Sequence, residues 1–343
     1  MTMNPYPTSE ASSDHAETAD AAAAALAAPR RRRLWVSLPR WLTLLLSDRR
    51  AAVGVAIVLF FVLVAVIGPL IWPGDPARAD YTSPPTQPPS ATYWLGTDQQ
   101  SHNIFLQMVD GTRPALFIGF AVGFVATALA IVIGMSAGYF GGWIDDLLML
   151  LTNIVLVIPG LALVIVLASW VQSKSDIPLI LILSFTGWAW GARVLRSQTL
   201  SMRRKDFIQA AIVRGETGGR IVLRDILPNM ISLVVSNFIG ATIFGIGVSA
   251  GLQFLGLGNL SEVSWFSILY WAQNNSALET GAWWTFIPPG LAIALLVTGL
   301  ALINFGIDAI SNPRLRNEKI PAAQQARMRR PAQPLPAEEV VAR

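Results

Sequence analysis

The chain has 343 residues, of which 53% are hydrophobic and 13% charged, with a formal net charge of +4. A soluble protein of this length needs a more highly charged surface, so the composition predicts a membrane protein. Cysteine is absent, which excludes disulfides and thiolate chemistry. The two histidines, His15 and His102, lie far apart in polar segments and give no basis for a metal site. We therefore expect neither a metal nor a cofactor.

The two ends of the chain are polar. Residues 1–33 are rich in Ala, Ser, Thr, Pro and acidic residues, which predicts a disordered tail. Their basic cluster, Arg30 to Arg33, follows the Ala-rich run, whereas a signal peptide begins with its charges. Residues 34–48 are too short and interrupted to span a membrane, and we predict that they form an interfacial segment on its surface. Residues 318–343 are predicted to form a second disordered tail.

Six apolar runs lie between these ends, and each is long enough to cross a hydrocarbon core of about 30 Å at about 1.5 Å per residue. They cover residues 51–72, 114–141, 147–171, 177–200, 228–250 and 286–307. Prolines at Pro159-Gly160 and at Pro288 to Gly290 predict breaks or kinks in the third and sixth runs. The glycine pairs Gly119/Gly123, Gly134/Gly138 and Gly247/Gly251 predict close helix packing, by default inside one subunit.

Basic residues predict the orientation of the six spans. They cluster before the first span, between the fourth and fifth, and after the sixth. Six crossings put these three clusters on one side, and the positive-inside rule makes that side the cytoplasm. Since the basic residues sit at span ends, without interleaved aromatics on a soluble domain, we expect no nucleic-acid binding.

Tryptophans also follow the span ends. Trp72, Trp143 and Trp170 lie where an amphipathic indole ring prefers the membrane interface. Four more crowd the last external loop: Trp265, Trp271, Trp283 and Trp284. They could form a stacking platform for sugars, although interfacial anchoring and loop packing is the more common role of such residues.

The segment 206–229, DFIQAAIVRGETGGRIVLRDILPN, lies between the fourth and fifth spans. Gln209-Ala210-Ala211 is followed by Gly215, and Leu227-Pro228 comes just before the next apolar run. The pattern predicts a helix, a glycine break and a second helix ended by proline. Such a compact knob is suited to docking a partner, with an ordinary amphipathic loop as the alternative.

This arrangement resembles the coupling loop of bacterial ABC-importer permeases, whose usual pattern is Glu-Ala-Ala, three residues, Gly and later Leu-Pro. Motifs along residues 90–317 extend the resemblance to the C-type subunit of the dipeptide/oligopeptide/nickel class. They are Leu95-Gly96-Thr97-Asp98, Ala137 to Trp143 with Asp145, Gly191-Ala192-Arg193 with Arg196 and Gln198, Phe254 to Gly258 with Ser264-Trp265, and Asp308 with Asn312 to Arg316.

The resemblance implies an all-α polytopic membrane protein with six transmembrane helices and the ABC importer type I permease fold, formed by residues 49–317. It implies a permease subunit in the bacterial cytoplasmic membrane, with both termini cytoplasmic. The expected partners are ABC ATPase subunits, a second homologous permease, an extracytoplasmic solute-binding protein and the lipid bilayer. The chain itself is then no enzyme, and ATP hydrolysis belongs to the partner chains.

Coupling to the ATPase is assigned by this resemblance to the helix within residues 206–222 and its flanks. The implied coupling residues are Asp206, Gln209, Ala210, Ala211, Gly215, Glu216, Leu227 and Pro228. In this interpretation Ala210 and Ala211 permit close approach of the ATPase, and Gly215 lets the chain turn.

The chain departs from the family pattern in three places. Gln209 stands where the family has Glu, Asp225 where it usually has His, and Ser101-His102-Asn103 where it has Gly-Arg-Asp. Asp206 or Glu216 could replace the missing charge, and each could equally be a helix-start or solvated residue. Peptides are the expected cargo, with oligosaccharides or nickel as alternatives.

A self-sufficient secondary transporter or membrane enzyme is the alternative from another class. Such carriers usually need ionisable groups inside their spans. The spans have only Arg193 and Arg196, near one end of the fourth. The chain also lacks a P-loop motif for binding ATP itself. Both observations favour a permease that depends on a separate ATPase.

Overall fold

A computed structural model describes residues 48–82, 84–170 and 175–311, with side chains to residue 308. The predicted tails 1–33 and 318–343 and nearly all of the interfacial segment 34–48 lie outside the described residues. Within the described ranges the secondary structure is helical, apart from two isolated β-bridges. This confirms the predicted all-α class.

The described part of the chain contains twelve α-helices. In order they are α1 (Arg49–Ile71), α2 (Ile104–Asp110), α3 (Thr112–Ala130), α4 (Ser136–Phe140), α5 (Gly142–Val157), α6 (Gly160–Ser169), α7 (Ile177–Arg203), α8 (Asp206–Val213), α9 (Gly218–Ile221), α10 (Ile231–Phe254), α11 (Trp265–Asn274) and α12 (Ile287–Ser311). A π-helical turn, Ile131–Met135, joins α3 to α4. A second one, Val222–Ile226, and a 3-10 turn, Leu227–Met230, join α9 to α10.

Five helical stretches are long and apolar enough to cross a membrane: Arg49–Ile71, Ile104–Phe140, Ile177–Arg203, Gly218–Phe254 and Trp283–Asp308. The pair α5 and α6 meets the same test when taken together, with a bend of 83° between them. Counted as one broken span, this pair brings the described total to the predicted six.

The prolines act differently in the third and sixth spans. Ile158 has extended backbone angles between α5 and α6, as expected for a residue that precedes proline. The predicted break at Pro159 is therefore confirmed. Pro288 and Pro289 instead lie in the first turn of α12, which continues unbroken to Ser311. The predicted break there is wrong, because a proline in the first helical turn lacks only an N–H that would have no partner in the helix.

The bundle is centred on α3, which packs along both α10 and α7, while α12 packs between α10 and α1. Two of the three glycine pairs allow this close packing. A Cβ atom on Gly119 would come within 2.5 Å of Ile246 of α10, and one on Gly134 within 2.4 Å of the Ala192 carbonyl oxygen of α7. Packing inside one chain is thus confirmed for these pairs.

Gly247 and Gly251 of α10 are not packed closely against another described helix. A Cβ atom added at either glycine would have nothing within 4 Å among the described residues. The default expectation that this pair packs inside the subunit is therefore wrong, and this side of α10 is open.

The alternating direction of the spans gives the bundle two ends. We call one the knob end, because it carries the knob, defined as residues 204–230, and the tight turn at Gly141. The other is the loop end, with residues 72–103 and 255–286. Arg196 of α7 and Asp145 of α5 form a two-bond ion pair near the knob end, with N–O distances of 2.5 and 2.6 Å.

Tryptophans mark both ends, as predicted. Trp72, Trp143 and Trp170 lie at helix termini and are exposed. In the loop end, Trp265 and Trp284 are buried and donate hydrogen bonds to the carbonyl oxygens of Met108 and Thr97, at 2.9 and 3.0 Å. These two indoles therefore pack the loops together and offer no open face for a sugar ring.

Candidate functional site: the knob

The first helix of the knob, α8, ends in a complete Schellman motif. Gly215 has φ of +78°, in the left-handed region that glycine adopts without strain. Its N–H donates to the carbonyl oxygen of Ile212 at 2.9 Å, and the N–H of Glu216 donates to that of Ala211 at 3.2 Å. These two bonds satisfy two of the four carbonyls that a helix end leaves without partners. The predicted glycine break after this helix is confirmed.

One side of α8 is buried against the rest of the chain. Ile208 and Ala211, three residues apart, are 0% and 1% exposed and belong to a core cluster that also includes Ile221 and Ile226. Residues at this spacing share one helix face. The knob is therefore a packed part of the bundle and not a loose loop.

Side chains from the turn near Gly141 extend this packing. A Cβ atom at Gly218 would come within 2.7 Å of the Tyr139 ring, so α9 approaches α4 closely. The guanidinium of Arg203 lies over the same ring, 5.7 Å from its centroid. Such a cation–π contact holds the end of α7 beside the end of α4.

The remaining surface of α8 is exposed and largely apolar. Phe207 and Val213 are 48% and 87% exposed, and Ala210 lies between them at three-residue spacing. An exposed apolar face on a helix that is anchored on its other side is typical of a protein-binding surface. Phe207 and Val213 were not among the residues predicted from the sequence, although their three-residue spacing from Ala210 was a readable signal.

The two alanines of the predicted coupling motif lie on different sides of α8. Ala210 is exposed, whereas Ala211 is packed inside the chain. A partner protein can therefore approach α8 closely at Ala210. The small side chain at Ala211 is required by the internal packing of the knob.

Gln209 ties α8 to the preceding span. Its side-chain amide nitrogen donates to the carbonyl oxygen of Arg203, the last residue of α7, at 2.9 Å. This carbonyl is one of the four that a helix leaves without partners at its C-terminus. A carboxylate cannot donate this bond. Gln209 therefore has a local structural role that the Glu of the family pattern would not fill in the same way.

The predicted acidic residues have separate environments. Asp206 is exposed in the first turn of α8, where a negative charge interacts favourably with the helix dipole. Glu216 accepts a hydrogen bond from Arg214 at 2.9 Å and lies 3.4 Å from Arg220. The Arg214 bond is the main cause that holds the pKa of Glu216 below its ordinary value. Glu216 is thus engaged by arginines of its own chain.

Leu227 and Pro228 lie at the entry to α10. Leu227 packs against the core cluster of the knob end, while Pro228 is exposed. The helical path runs through Pro228 from Gly218 to Phe254, so the expectation that the second helix ends at this proline is wrong. The π-helical turn before it and the 3-10 turn around it alter the backbone bonding pattern. Such turns accommodate a residue without an N–H.

At the loop end, the three residues of Ser101-His102-Asn103, which depart from the family pattern, have local explanations. Ser101 has φ of +61°, so it adopts a left-handed conformation that suits the glycine of the pattern. The Asn103 side chain caps α2 by accepting from the N–H of Phe105 at 3.0 Å. His102 lies with Nδ1 2.8 Å from a carboxylate oxygen of Asp98. All three residues take part in the folding of the loop.

Five apolar helical stretches and one broken span, with a structured knob between two of them, form the architecture of a multi-pass membrane protein. Residues 130–317 match the family model of the binding-protein-dependent transport system inner membrane component. Residues 41–89 match the N-terminal transmembrane domain of oligopeptide transport permease C. The chain belongs to the binding-protein-dependent transport system permeases, the inner-membrane components of ABC importers.

Individual relatives agree with the C-type resemblance. The dipeptide transport system permease protein DppC of Alkalihalophilus pseudofirmus is 32% identical over 275 residues, which cover 79% of this chain and 88% of that protein. The oligopeptide transport system permease protein OppC of Mycobacterium tuberculosis is 29% identical over 272 residues, 78% of this chain and 92% of that protein. DppC of Bacillus subtilis is 29% identical over 273 residues, 79% of this chain and 83% of that protein.

Proposed function

We propose that this chain is the C-type permease subunit of an ATP-driven importer of di- and oligopeptides. The names of its relatives support peptides over oligosaccharides or nickel, since the similar proteins are dipeptide and oligopeptide permeases. The chain forms the translocation path together with a second homologous permease. An extracytoplasmic binding protein delivers the peptide to the loop end, and two ATPase subunits act at the knob end.

The membrane orientation follows from this assignment. The knob end faces the cytoplasm, where ATP is available, and both termini lie on that side. The basic residues support the same orientation, because the knob carries exposed Arg204, Lys205, Arg214, Arg220 and Arg224. The loop end then faces outward.

The observation that carries the coupling proposal is the two-sided burial of α8. Ile208 and Ala211 anchor the helix in the bundle, while Phe207, Ala210 and Val213 face outward. A helix held in this way moves with the spans that it packs against. Closure of the ATPase subunits on nucleotide binding is transmitted through its outward face, and the permease alternates between outward- and inward-open states.

Substitutions at Ala210 test this coupling. Ala210→Glu places a bulky charge in the outward face, and Ala210→Ser is the matched control that keeps the side chain small. With the partner subunits co-expressed, we expect Ala210→Glu to abolish ATP-dependent uptake of a labelled dipeptide while the chain still inserts in the membrane. Ala210→Ser should transport normally. Unchanged uptake by Ala210→Glu would exclude docking through this face.

A further inference from the structure

The knob is joined through the chain to the fourth and fifth spans, because α7 leads into it and α10 follows it. The second span, Ile104–Phe140, contains α3, which lies at the centre of the bundle, and it has no such covalent connection to the knob. A motion of the knob reaches this span only through non-covalent packing. The contacts between the two therefore decide whether the centre of the bundle follows the knob.

Tyr139 of α4, at the end of the second span, makes one of these contacts. A Cβ atom at Gly218, the first residue of α9, would lie 2.7 Å from Cε1 of the tyrosine ring. The backbone of α9 therefore rests directly on this ring. Tyr139 is 9% exposed and belongs to the same core cluster as Ile208 and Ile221 of the knob.

A second series of contacts reaches the same ring from α8. The side-chain amide of Gln209 donates to the carbonyl oxygen of Arg203 at 2.9 Å. The guanidinium of Arg203 lies over the Tyr139 ring, 5.7 Å from its centroid. A cation and an aromatic ring attract each other at this separation. Both helices of the knob, α8 and α9, are thus connected to one ring.

The helix that carries Tyr139 is closed against α7. A Cβ atom at Gly138 would lie 2.7 Å from the carbonyl oxygen of Arg196 and 2.8 Å from Cβ of Thr199. Arg196 also holds Asp145 of α5 in the ion pair near the knob end. Closely packed protein interiors are hardly compressible and transmit strain. A displacement of α4 therefore displaces α7 and the start of α5 with it.

We propose that Tyr139 is a positioning residue for coupling, which makes the second span move with the knob when the ATPase subunits close. This inference rests on the proposed function. In this role the ring acts through Gly218 and Arg203, and it is not part of the face that binds the ATPase. Without the ring, Ile208 and Ala211 still anchor α8, so the ATPase still docks while the motion of the knob reaches the second span poorly.

Two substitutions at Tyr139 test this role. Tyr139→Phe keeps the ring and both of its contacts, whereas Tyr139→Leu keeps an apolar side chain and removes the ring. Each variant is assembled in proteoliposomes with the second permease, the ATPase subunits and the binding protein. The readout is the number of labelled dialanine molecules taken up per ATP hydrolysed. Tyr139→Phe should match the wild type, and Tyr139→Leu should fall by about tenfold, an ordinary size for a coupling effect between two sites.

A buried leucine in the other large core cluster controls for stability. Leu183 of α7 is 0% exposed and lies in the cluster that contains Phe61 and Trp265. Leu183→Ala leaves a cavity and should lower the unfolding temperature of the subunit at least as much as Tyr139→Leu does. Its uptake per ATP should nevertheless equal that of the wild type. An equal fall in both variants would mean that lost stability, and not lost coupling, explains the effect.

The absence of cysteine from the chain permits a rescue experiment. In the variant Tyr139→Cys/Gly218→Cys, a short bis-methanethiosulfonate joins α4 to α9 by a covalent link in place of the ring. Uptake per ATP should be low before cross-linking, return to the wild-type value after it, and fall again when a thiol reductant breaks the link. Tyr139→Cys alone, treated in the same way, should stay low, which controls for cysteines of the partner subunits.

Two results would overturn the proposal: a wild-type ratio in Tyr139→Leu, or a cross-linked double variant that stays uncoupled. The wild-type complex is measured in parallel. Its failure to take up dialanine with ATP would contradict the proposed function itself and not only the role of Tyr139.

Discussion

Arg113, at the start of α3, donates a hydrogen bond from Nε to the carbonyl oxygen of Ala65 in α1, at 2.6 Å. Pro69 lies four residues after Ala65 inside the same helix and has no N–H to offer this carbonyl. The arginine therefore supplies the donor that the proline removes. In a membrane this matters, because lipid offers no alternative donor.

Arg113→Leu should lower the free energy of unfolding by about 1–3 kcal/mol, since a buried carbonyl is left unpaired. In the Pro69→Ala background the same change should cost clearly less, because the new N–H can bond to Ala65. Thermal unfolding of the four proteins in detergent measures this coupling as a double-mutant cycle. Equal costs in both backgrounds would mean that the arginine acts on something other than this carbonyl.

Two glycine-to-alanine substitutions should have opposite effects. A Cβ atom at Gly134 would meet the Ala192 carbonyl oxygen at 2.4 Å, so Gly134→Ala forces α7 away and should destabilise the subunit by about 1–3 kcal/mol. Gly247→Ala meets nothing within 4 Å and should stabilise α10 by up to about 1 kcal/mol. Thermal unfolding of the isolated subunit measures the change in stability for each substitution. Similar effects of the two changes would contradict the packing described for α7.

Asp176, just before α7, should make the stability of the loop end depend on pH. Partial burial is the main cause that raises the pKa of this carboxyl group, the nearby Glu262 adds to it, and a hydrogen bond with Asn259 opposes it. The folded state therefore holds this proton to higher pH than the unfolded state does. Stability from this group is fully present below the unfolded pKa and is lost as pH rises through the folded pKa.

Asp176→Asn should consequently raise stability near neutral pH and flatten its decline from acidic to neutral pH. Unfolding temperatures of the purified subunit, measured from about pH 4, close to the ordinary pKa of a carboxyl group, to about pH 7.5, report the effect. Glu279→Gln, at an exposed position of the same end, serves as the control and should keep the wild-type pH profile. A steeper decline in Asp176→Asn would reverse the sign assigned to the group.

Gln209→Glu restores the residue type of the family pattern, yet it should loosen the knob of this chain. The carboxylate cannot donate to the Arg203 carbonyl oxygen, and the loss of about 1 kcal/mol should speed amide exchange in α8 by about fivefold. Hydrogen exchange followed by mass spectrometry over residues 206–217 measures this change. Gln198→Glu, an exposed change in α7, should leave the exchange of α8 unaltered.

Much of the architecture could be predicted because it depends on local chemistry. Apolar length defines a span, and the sequence Pro159-Gly160 in the middle of the third one marks its break. Gly215 was readable as a helix stop because a left-handed residue after a helix is usually glycine. The wrong expectations at Pro228 and Pro288 share one cause. The effect of a proline depends on its distance from the start of a helix. The sequence predicts where a helix starts only to within a few residues.

The sequence by itself determined the membrane character, the six spans, the break at Pro159 and the position of the knob, since hydrophobic length and backbone preference act within a short stretch of chain. Only the tertiary structure decided that Ala210 faces outward while Ala211 is packed inside, that Gly247 is left open while Gly134 is closed, and that Asn304 lines a groove with Asn237. These outcomes depend on which faces of distant helices meet. That choice is made by the packing of the whole bundle, in which residues far apart in the chain become neighbours.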